Sequence, residues 1–394
     1  MIFSSAETAM VSRVRAGLFC CALIGTTICL AALVFFPVSK TEYRVESFDS
    51  RFSVQQIVDL GGAVRPEVRG ALPTRLAINE ADQIFLSIQL SGQEAYSGRI
   101  VELIEEQAAN GQVRLKTIAD SACLFRTFGL AARDGQIYVS RAGFLARANQ
   151  GRLEYENTGT VTRLSDLDCD GIMDYYEDIV VNLPGCQGPN TQHQNNAITF
   201  GPEGELYIAQ GVPNDRGLLS HPWHGKILRA SPDFSEISIF ASGFRNPFGL
   251  IHGPHGGLFC TDNDVTAGFN PGDELNLIES GAHYGHPYVF GKDDGGGAFA
   301  TPLLLSVGTS SFAGIAYTES PELPEEYQGC LYIADFGASQ ILRITLNLKD
   351  DGYAVEAETF VAVPQPIDIA VTQSGDFYVT SYEGLVFRIR YMKK

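Results

Sequence analysis

The sequence predicts an all-β fold, a six-bladed β-propeller behind an N-terminal apolar segment. Three observations carry this: a phrase that recurs six times, an alternating strand after most of its copies, and a composition that suits many packed sheets. The phrase is an apolar strand start, a turn with Gly, Asp or Asn, and a short β-run with an aromatic at a fixed place. It reads RLAINEADQIFLS from Arg75, GLAARDGQIYVS from Gly129, NAITFGPEGELYIA from Asn196 and GLIHGPHGGLFCTD from Gly249. A longer copy opens at GIAYTES and ends in GCLYIAD at Asp335, and DIAVTQSGDFYVTS closes the series at Ser381. The aligned aromatics are Phe85, Tyr138, Tyr207, Phe259, Tyr332 and Tyr378. They lie roughly 45 to 75 residues apart, the spacing of sheet-sized units rather than helical repeats.

Each copy has the logic of a β-hairpin. A turn such as Glu203-Gly204 or Ser374-Gly375 lets the backbone take positive φ, and the flanking β-branched and aromatic residues suit a half-buried pleated surface. KILRAS after the third copy, ILRITL after the fifth and VFRIRY at the C-terminus alternate apolar and polar residues, so each buries one face. Six such sheets set radially bury their faces on one another and leave only short, protected edges. Residues 45–394 therefore read as one propeller, with two stacked β-sandwiches as the competing architecture.

Apolar residues at 45% supply a core, and 41 glycines with 18 prolines supply tight turns. The formal charge of −18 argues against sequence-independent nucleic-acid binding, which draws its affinity from Lys and Arg on phosphates, so no nucleic acid is expected as a partner. An acidic balance is compatible with cation binding and is silent about fold.

Residues 1–40 are a different object. Ala16 to Val38 is free of charge and about long enough to cross a ~30 Å hydrocarbon core as a helix. Arg13 and Arg15 precede it, which keeps a short tail in the cytoplasm and sends the propeller outside, to the periplasm or cell envelope. A signal anchor holding the protein to the membrane is the first expectation and a cleaved signal peptide the second. Cys169 and Cys186 flank one loop and suit a bridge in an oxidising compartment; Cys123, Cys260 and Cys330 fall in or beside strands as free thiols. There is no C-x-x-C-H, so no covalently attached c-type haem is encoded in this chain.

The stretch DLDCDGIMDYYE, residues 166–177, has the spacing of an EF-hand calcium loop. Asp166, Asp168, Asp170, Asp174 and Glu177 place carboxylates at loop positions 1, 3, 5, 9 and 12, Gly171 permits the sharp turn, and Ile172 offers a carbonyl at position 7. Hard oxygen ligands at this spacing wrap one ion, and without a cation their charges repel. Strand-like VTRL precedes the loop, so a structural calcium pinning an insertion between blades is expected, without the helix pair of an EF-hand. The bland alternative is a solvated acidic linker.

A second constellation is spread over HQNNAITFGPEGELYIAQG, ILRASPDFSEISIFASGFRNPFGL and GDELNLIESGAHYGHPY. From about Asn157 to Tyr391 the chain resembles the glucose/sorbosone dehydrogenases, six-bladed propellers that use pyrroloquinoline quinone with calcium; the Arg-Asn-Pro and Asp-Glu-Leu-Asn blocks are the specific parts. The resemblance implies that His193 is the general base for a sugar hydroxyl, that Arg245 stabilises charge growing on the quinone, and that Asn246 bonds nearby. It implies further that carbonyls of Gly268 and Phe269 hold the cofactor's calcium, and that Asp273, Glu274 and Tyr284 match a second calcium cluster. Each has a bland counterpart: a loop-capping histidine, an inter-blade arginine, rim carboxylates.

Two positions depart from the family pattern. Where many members carry Arg-Pro-x-Asp, this chain reads Gln365-Pro366-Ile367-Asp368, and a His-Thr-Pro-Ser-Gly type of segment appears as Gly308-Thr309-Ser310-Ser311-Phe312. A neutral amide at Gln365 does not replace a charge that meets a cofactor carboxylate; Lys292 in the glycine-rich loop is a candidate substitute. Three functions follow. The first is a quinone-dependent dehydrogenase of a sugar or small polyol, with a separate envelope carrier as electron acceptor. The second is a calcium-stabilised, non-catalytic propeller that binds a glycan or protein, and the third a calcium-dependent lactone hydrolase.

Overall fold

The computed structural model describes residues 45–61, 71–90, 98–105, 113–124, 126–141, 144–149, 152–157, 159–184, 193, 195–213, 219, 221–263, 271–307, 310–349 and 352–393. The apolar segment in residues 1–40, Cys186, Gly268, Phe269, Gly308 and Thr309 lie outside them. Among the described residues there is no α-helix, and no helix long and apolar enough to cross a membrane.

The chain opens with β1 (Glu46–Ser47) and β2 (Phe52–Asp59), both used by blades built last. Blade 1 is β3 (Ala71–Ile78), β4 (Ile84–Leu90), β5 (Gly98–Glu105) and β6 (Val113–Ser121). Blade 2 begins with β7 (Thr127–Arg133) and β8 (Gln136–Arg141), inserts a separate hairpin of β9 (Phe144–Asn149) and β10 (Arg152–Asn157), and ends with β11 (Gly159–Ser165) and β12 (Tyr175–Leu183). Blade 3 is β13 (Asn195–Phe200), β14 (Leu206–Gln210), β15 (Lys226–Ala230) and β16 (Ile237–Ser242). Blade 4 is β17 (Pro247–His252), β18 (Leu258–Asp262), β19 (Glu274–Ile278) and the two-residue β20 (Leu304–Leu305). Blade 5 is β21 (Phe312–Thr318), β22 (Cys330–Asp335), β23 (Gln340–Lys349) and β24 (Gly352–Ala362), with β1 added at its edge. Blade 6 is β25 (Pro366–Val371), β26 (Phe377–Ser381) and β27 (Leu385–Tyr391), and β2 pairs with β27 as its fourth strand. The architecture is the six-bladed propeller, not two sandwiches.

The recurring phrase is the first hairpin of every blade. All six aligned aromatics fall on the second strand and are buried, packing blade against blade. The Gly of each glutamate- or serine-glycine turn takes the left-handed conformation, φ +90° at Gly204 and +83° at Gly375. Alternation in KILRAS, ILRITL and VFRIRY reports β15, β23 and β27, the third strand of blades 3, 5 and 6.

The first strands, β3, β7, β13, β17, β21 and β25, pack successively around the central channel and back to the start. Each carries a bulge near its beginning. The face where these strands begin is called upper here and the opposite face lower. Closure by β2 was not legible in the repeat, because Phe52 to Asp59 supplies a lone fourth strand with no phrase of its own. Phe52 locks it: its ring lies 4.8 Å from Tyr327, 4.9 Å from Phe360 and 5.5 Å from Tyr391. Phe52→Ala should leave a cavity at this seam and lower unfolding free energy by about 3–5 kcal/mol, read by urea denaturation. An unchanged midpoint would mean that β2 does not close the ring.

Candidate active site

The upper face at blades 3 to 5 carries a continuous polar relay. His193, just ahead of β13, bonds through Nδ1 to the Val212 carbonyl at 2.9 Å. A carbonyl only accepts, so Nδ1 holds the proton and in the neutral ring the lone pair falls to Nε2. Val212 N–H in turn donates to the carbonyl of Arg245 at 2.9 Å, so one residue after β14 suspends both the histidine and the arginine that the resemblance singles out. Both side chains are buried.

Arg245 and Asn246 lie between β16 and β17, and Asp262 at the end of β18 fixes them from below. Its carboxylate accepts the N–H of Arg245 at 3.0 Å and that of Asn246 at 2.6 Å. The Arg245 guanidinium donates from Nη1 to the Asn263 carbonyl at 2.9 Å. Asn246 is a bridge: its Oδ1 accepts from Asn196 at 2.9 Å and its amide donates to Asn263 at 2.8 Å. Asn263 passes the chain to Asp273 at 3.2 Å and to the Phe312 carbonyl at 2.6 Å, reaching blade 5. Val212, Asn196, Asp262 and Asn263 were not singled out in the sequence. Asp262 had a signal, since it stands three residues past its blade's aromatic as Asp335 does, and Asp335 accepts Ser311 N–H at 3.1 Å in the same way.

Asp273, Glu274 and Tyr284 each make hydrogen bonds of their own. Asp273 accepts Phe312 N–H at 2.8 Å and ties blade 4 to blade 5, while Glu274 on β19 accepts from Asn276 at 3.0 Å. The Tyr284 hydroxyl donates to the Leu277 carbonyl at 2.5 Å and accepts Glu279 N–H at 2.9 Å, and its ring stacks on Phe244 at 4.8 Å. Burial raises its pKa. Gln365 lies on the same face, half-buried, at φ +37°, a conformation disfavoured outside glycine and often found where ligands bind. Lys292 is exposed.

Among the described residues, buried polar atoms with no hydrogen-bond partner include Gln210 Oε1 at the end of β14, His224 Nδ1 ahead of β15 and Ser310 Oγ ahead of β21. Leaving such a group unmet costs about 1–3 kcal/mol, so they fit a polar ligand or ordered water. His224 hangs one residue from Gly225, whose carbonyl accepts Gly243 N–H at 3.0 Å and Phe244 N–H at 3.3 Å, next to Arg245. Burial, helped by neighbouring His221, brings its pKa down to about 4.

The acidic loop is on the lower face. It is the turn between β11 and β12 within blade 2, rather than an insertion between blades, and reaches blade 1 through Met173 N–H to the Ile118 carbonyl at 2.7 Å. Oxygens of Asp166, Asp168 and Asp170 lie within 4.8 Å of one another. Ile172 donates its N–H to Asp170 at 2.7 Å, and Asp174 accepts Leu167 N–H at 3.1 Å. Glu177 is already in β12 and paired with Arg163 across the ladder, so it stands apart from the trio. Cys169 is an exposed free thiol, and Cys123, Cys260 and Cys330 are free as expected.

Residues 130–386 match the family model described as glucose / sorbosone dehydrogenase. Quinoprotein glucose dehydrogenase B of Acinetobacter calcoaceticus is 26% identical over a match taking in 54% of this chain and 53% of the relative, so the chain spans about half of that protein's length. The PQQ-bound aldose sugar dehydrogenase of Streptomyces coelicolor superposes with a TM-score of 0.60 at 20% identity, covering 86% of this chain and 98% of that one. The holo PQQ domain of pyranose dehydrogenase from Coprinopsis cinerea gives 0.63 at 12% identity, covering 89% and 97%. At these identities the two structures speak for the fold alone.

The depressed pKa of His224 has a pH consequence. Between about 4 and the ordinary 6.5 the unfolded chain binds a proton that the folded protein refuses, so this group's contribution to stability is present above pH 6.5 and lost as pH falls towards 4. His224→Gln should flatten the fall of Tm with pH across that window. A slope identical to wild type would show that His224 is already protonated there.

Proposed function

The chain belongs to the glucose/sorbosone dehydrogenase family, and on that premise we propose that it is a quinone-dependent oxidoreductase that takes pyrroloquinoline quinone and oxidises a sugar or related alcohol. The observation that carries this reading is the Val212 link, which joins His193 to the carbonyl and Arg245 to the N–H of one residue at the channel's upper mouth. Bound quinone supplies the hydride acceptor. His193, its Nδ1 proton held by a carbonyl, takes the hydroxyl proton at Nε2. Arg245, fixed by Asp262 and Asn263, would meet negative charge on a bound quinone, and Asn246 holds the segment in register. The unpartnered Gln210, His224 and Ser310 atoms support a polar occupant on this side.

Gln365 favours a second reading, a propeller that binds a glycan or protein without redox chemistry, because the blade 6 side offers an amide where a carboxylate-bearing cofactor wants a cation. In the first reading electrons pass to a separate envelope carrier and the propeller lies outside the cytoplasm, which the charge-free run from Ala16 to Val38 supports. Calcium belongs to both readings, with the lower-face aspartates as a structural site.

Two measurements test this. His193→Ala should lower turnover by on the order of 10² to 10⁴ with quinone affinity largely kept, and Arg245→Ala should lower both. Absence of saturable quinone binding to folded, calcium-loaded protein by calorimetry would hand the site to the binding reading. For the lower face, calcium at a hundred times its Kd should add ~2.7 kcal/mol of stability, and Asp168→Ala should remove most of it. Equal melting curves in calcium and in EDTA would refute the loop as a calcium site.

A further inference from the structure

One position on the inner strands sets the bore of the channel. It is occupied in chain order by Arg75, Gly129, Ala197, Gly249, Gly314 and Asp368: Arg75, Gly129, Gly249 and Asp368 stand opposite the second position past their blade's aromatic, and Ala197 and Gly314 lie in the bulges that face that position in blades 3 and 5. Four of the six are Gly or Ala because neighbouring strands approach closely there. A Cβ on Gly249 would stand 2.8 Å from the Ala313 carbonyl oxygen, and one on Gly314 would collide with the Asp368 carboxylate. Blades 1 and 6 break the rule, and break it with opposite charges.

Arg75 spans the bore. Its Nε donates to the Phe128 carbonyl in blade 2 at 2.5 Å and its Nη2 to the Phe248 carbonyl in blade 4 at 2.7 Å. Its Nη1 stands 3.5 Å from Asp368 in blade 6, and the guanidinium lies 4.0 Å over the Phe248 ring. Asp368 returns to blade 1 by accepting Leu76 N–H at 2.9 Å. A planar fork of five donors suits such a hub, whereas one ammonium does not reach three blades in fixed directions. Below the pair the inner strands line a cavity of about 520 Å³, with Arg75 and Asp368 among its walls and the relay residues His193, Arg245 and Asn246 absent from them.

We propose that Arg75 is a positioning residue of the candidate active site, the floor that holds the Arg245–Phe248 segment of blade 4 and the Gln365–Asp368 segment of blade 6 in one frame. The role deepens the proposed function and rests on it for its purpose, while the bracing itself stands on the bonds above. Arg75 grips the residue two past Asn246, and its ion-pair partner lies three past Gln365. It thus acts through the Phe248 carbonyl in one flanking motif and the Asp368 carboxylate in the other.

The test uses Arg75→Lys, which keeps the charge and loses the fork, and Arg75→Met with Asp368→Leu, which removes both buried charges together and spares the fold a stranded carboxylate. Hydrogen exchange of the cofactor-free protein is followed over residues 243–249 and 365–369, with residues 340–362 of blade 5 as internal reference. Both variants should exchange on the order of tenfold faster in the first two segments and unchanged in the reference. In calcium-loaded protein, quinone Kd should weaken by about the same factor with the sugar KM little moved. Wild-type exchange at both segments in either folded variant would overturn the proposal, as would wild-type quinone affinity in both. Should wild-type protein bind no quinone, the proposed function fails on its own, and the exchange rates still decide whether Arg75 is the brace.

Discussion

Closing the ring is the constraint on which everything else depends. Six twisted sheets bury their faces only if the sixth meets the first, and in this chain the meeting is made at three radii. Outside, β2 from the start of the chain pairs with β27 from its end. Between them, Glu105 of blade 1 accepts from Arg388 at 2.6 Å and from the Tyr378 hydroxyl at 2.7 Å in blade 6. On the axis, Arg75 faces Asp368. A buried ion pair is a poor source of stability, because burial works against both charges, raising the Asp368 pKa and lowering that of Arg75. Its value is geometric: the pair fixes angle and register at the axis, away from the rim where β2 of blade 6 runs on towards β3 of blade 1.

That closed ring turns the upper ends of the inner strands into a rigid collar, and the relay is built on the collar rather than on free loops. Asp262 holds Arg245 and Asn246 by backbone N–H, Asn263 ties them to blade 5, and Val212 ties them to His193. The Asp262 carboxylate is spent on backbone amides, which fixes the segment that carries Arg245, and the Asn263 carbonyl directs the guanidinium.

The fold was legible because its signal is local. An aromatic at a fixed place after a glycine turn marks the second strand whatever the rest of the blade does, and all six such residues are buried there. What escaped is what depends on distant partners: β2 as a fourth strand, the β9–β10 hairpin, and Arg75, which in one dimension is a charged residue in a strand like many others. Of the candidate site, His193 and the Arg245-Asn246 pair were named from two separate motifs and are joined in the structure through Val212, whereas Asp273, Glu274 and Tyr284 were named as calcium ligands and are seen bonding to Phe312, Asn276, Leu277 and Glu279. Spacing likewise placed Glu177 at the last ligand position of the acidic loop, but the strand β12 begins before it and Arg163 claims it across the ladder.

Charge then separates the two faces. The lower face gathers Asp166, Asp168 and Asp170 with oxygens close enough to share one cation, on a turn that also ties blade 2 to blade 1. The upper face gathers carboxylates too, but each is committed: Asp262 to two N–H groups, Asp273 to Phe312, Asp335 to Ser311. A committed carboxylate is a poor metal ligand, since recruiting it would strand the amides it serves, and each stranded amide costs about 1–3 kcal/mol. The loop trio, whose bonds are all to amides of its own turn and mostly exposed, can turn outward to an ion at lower cost.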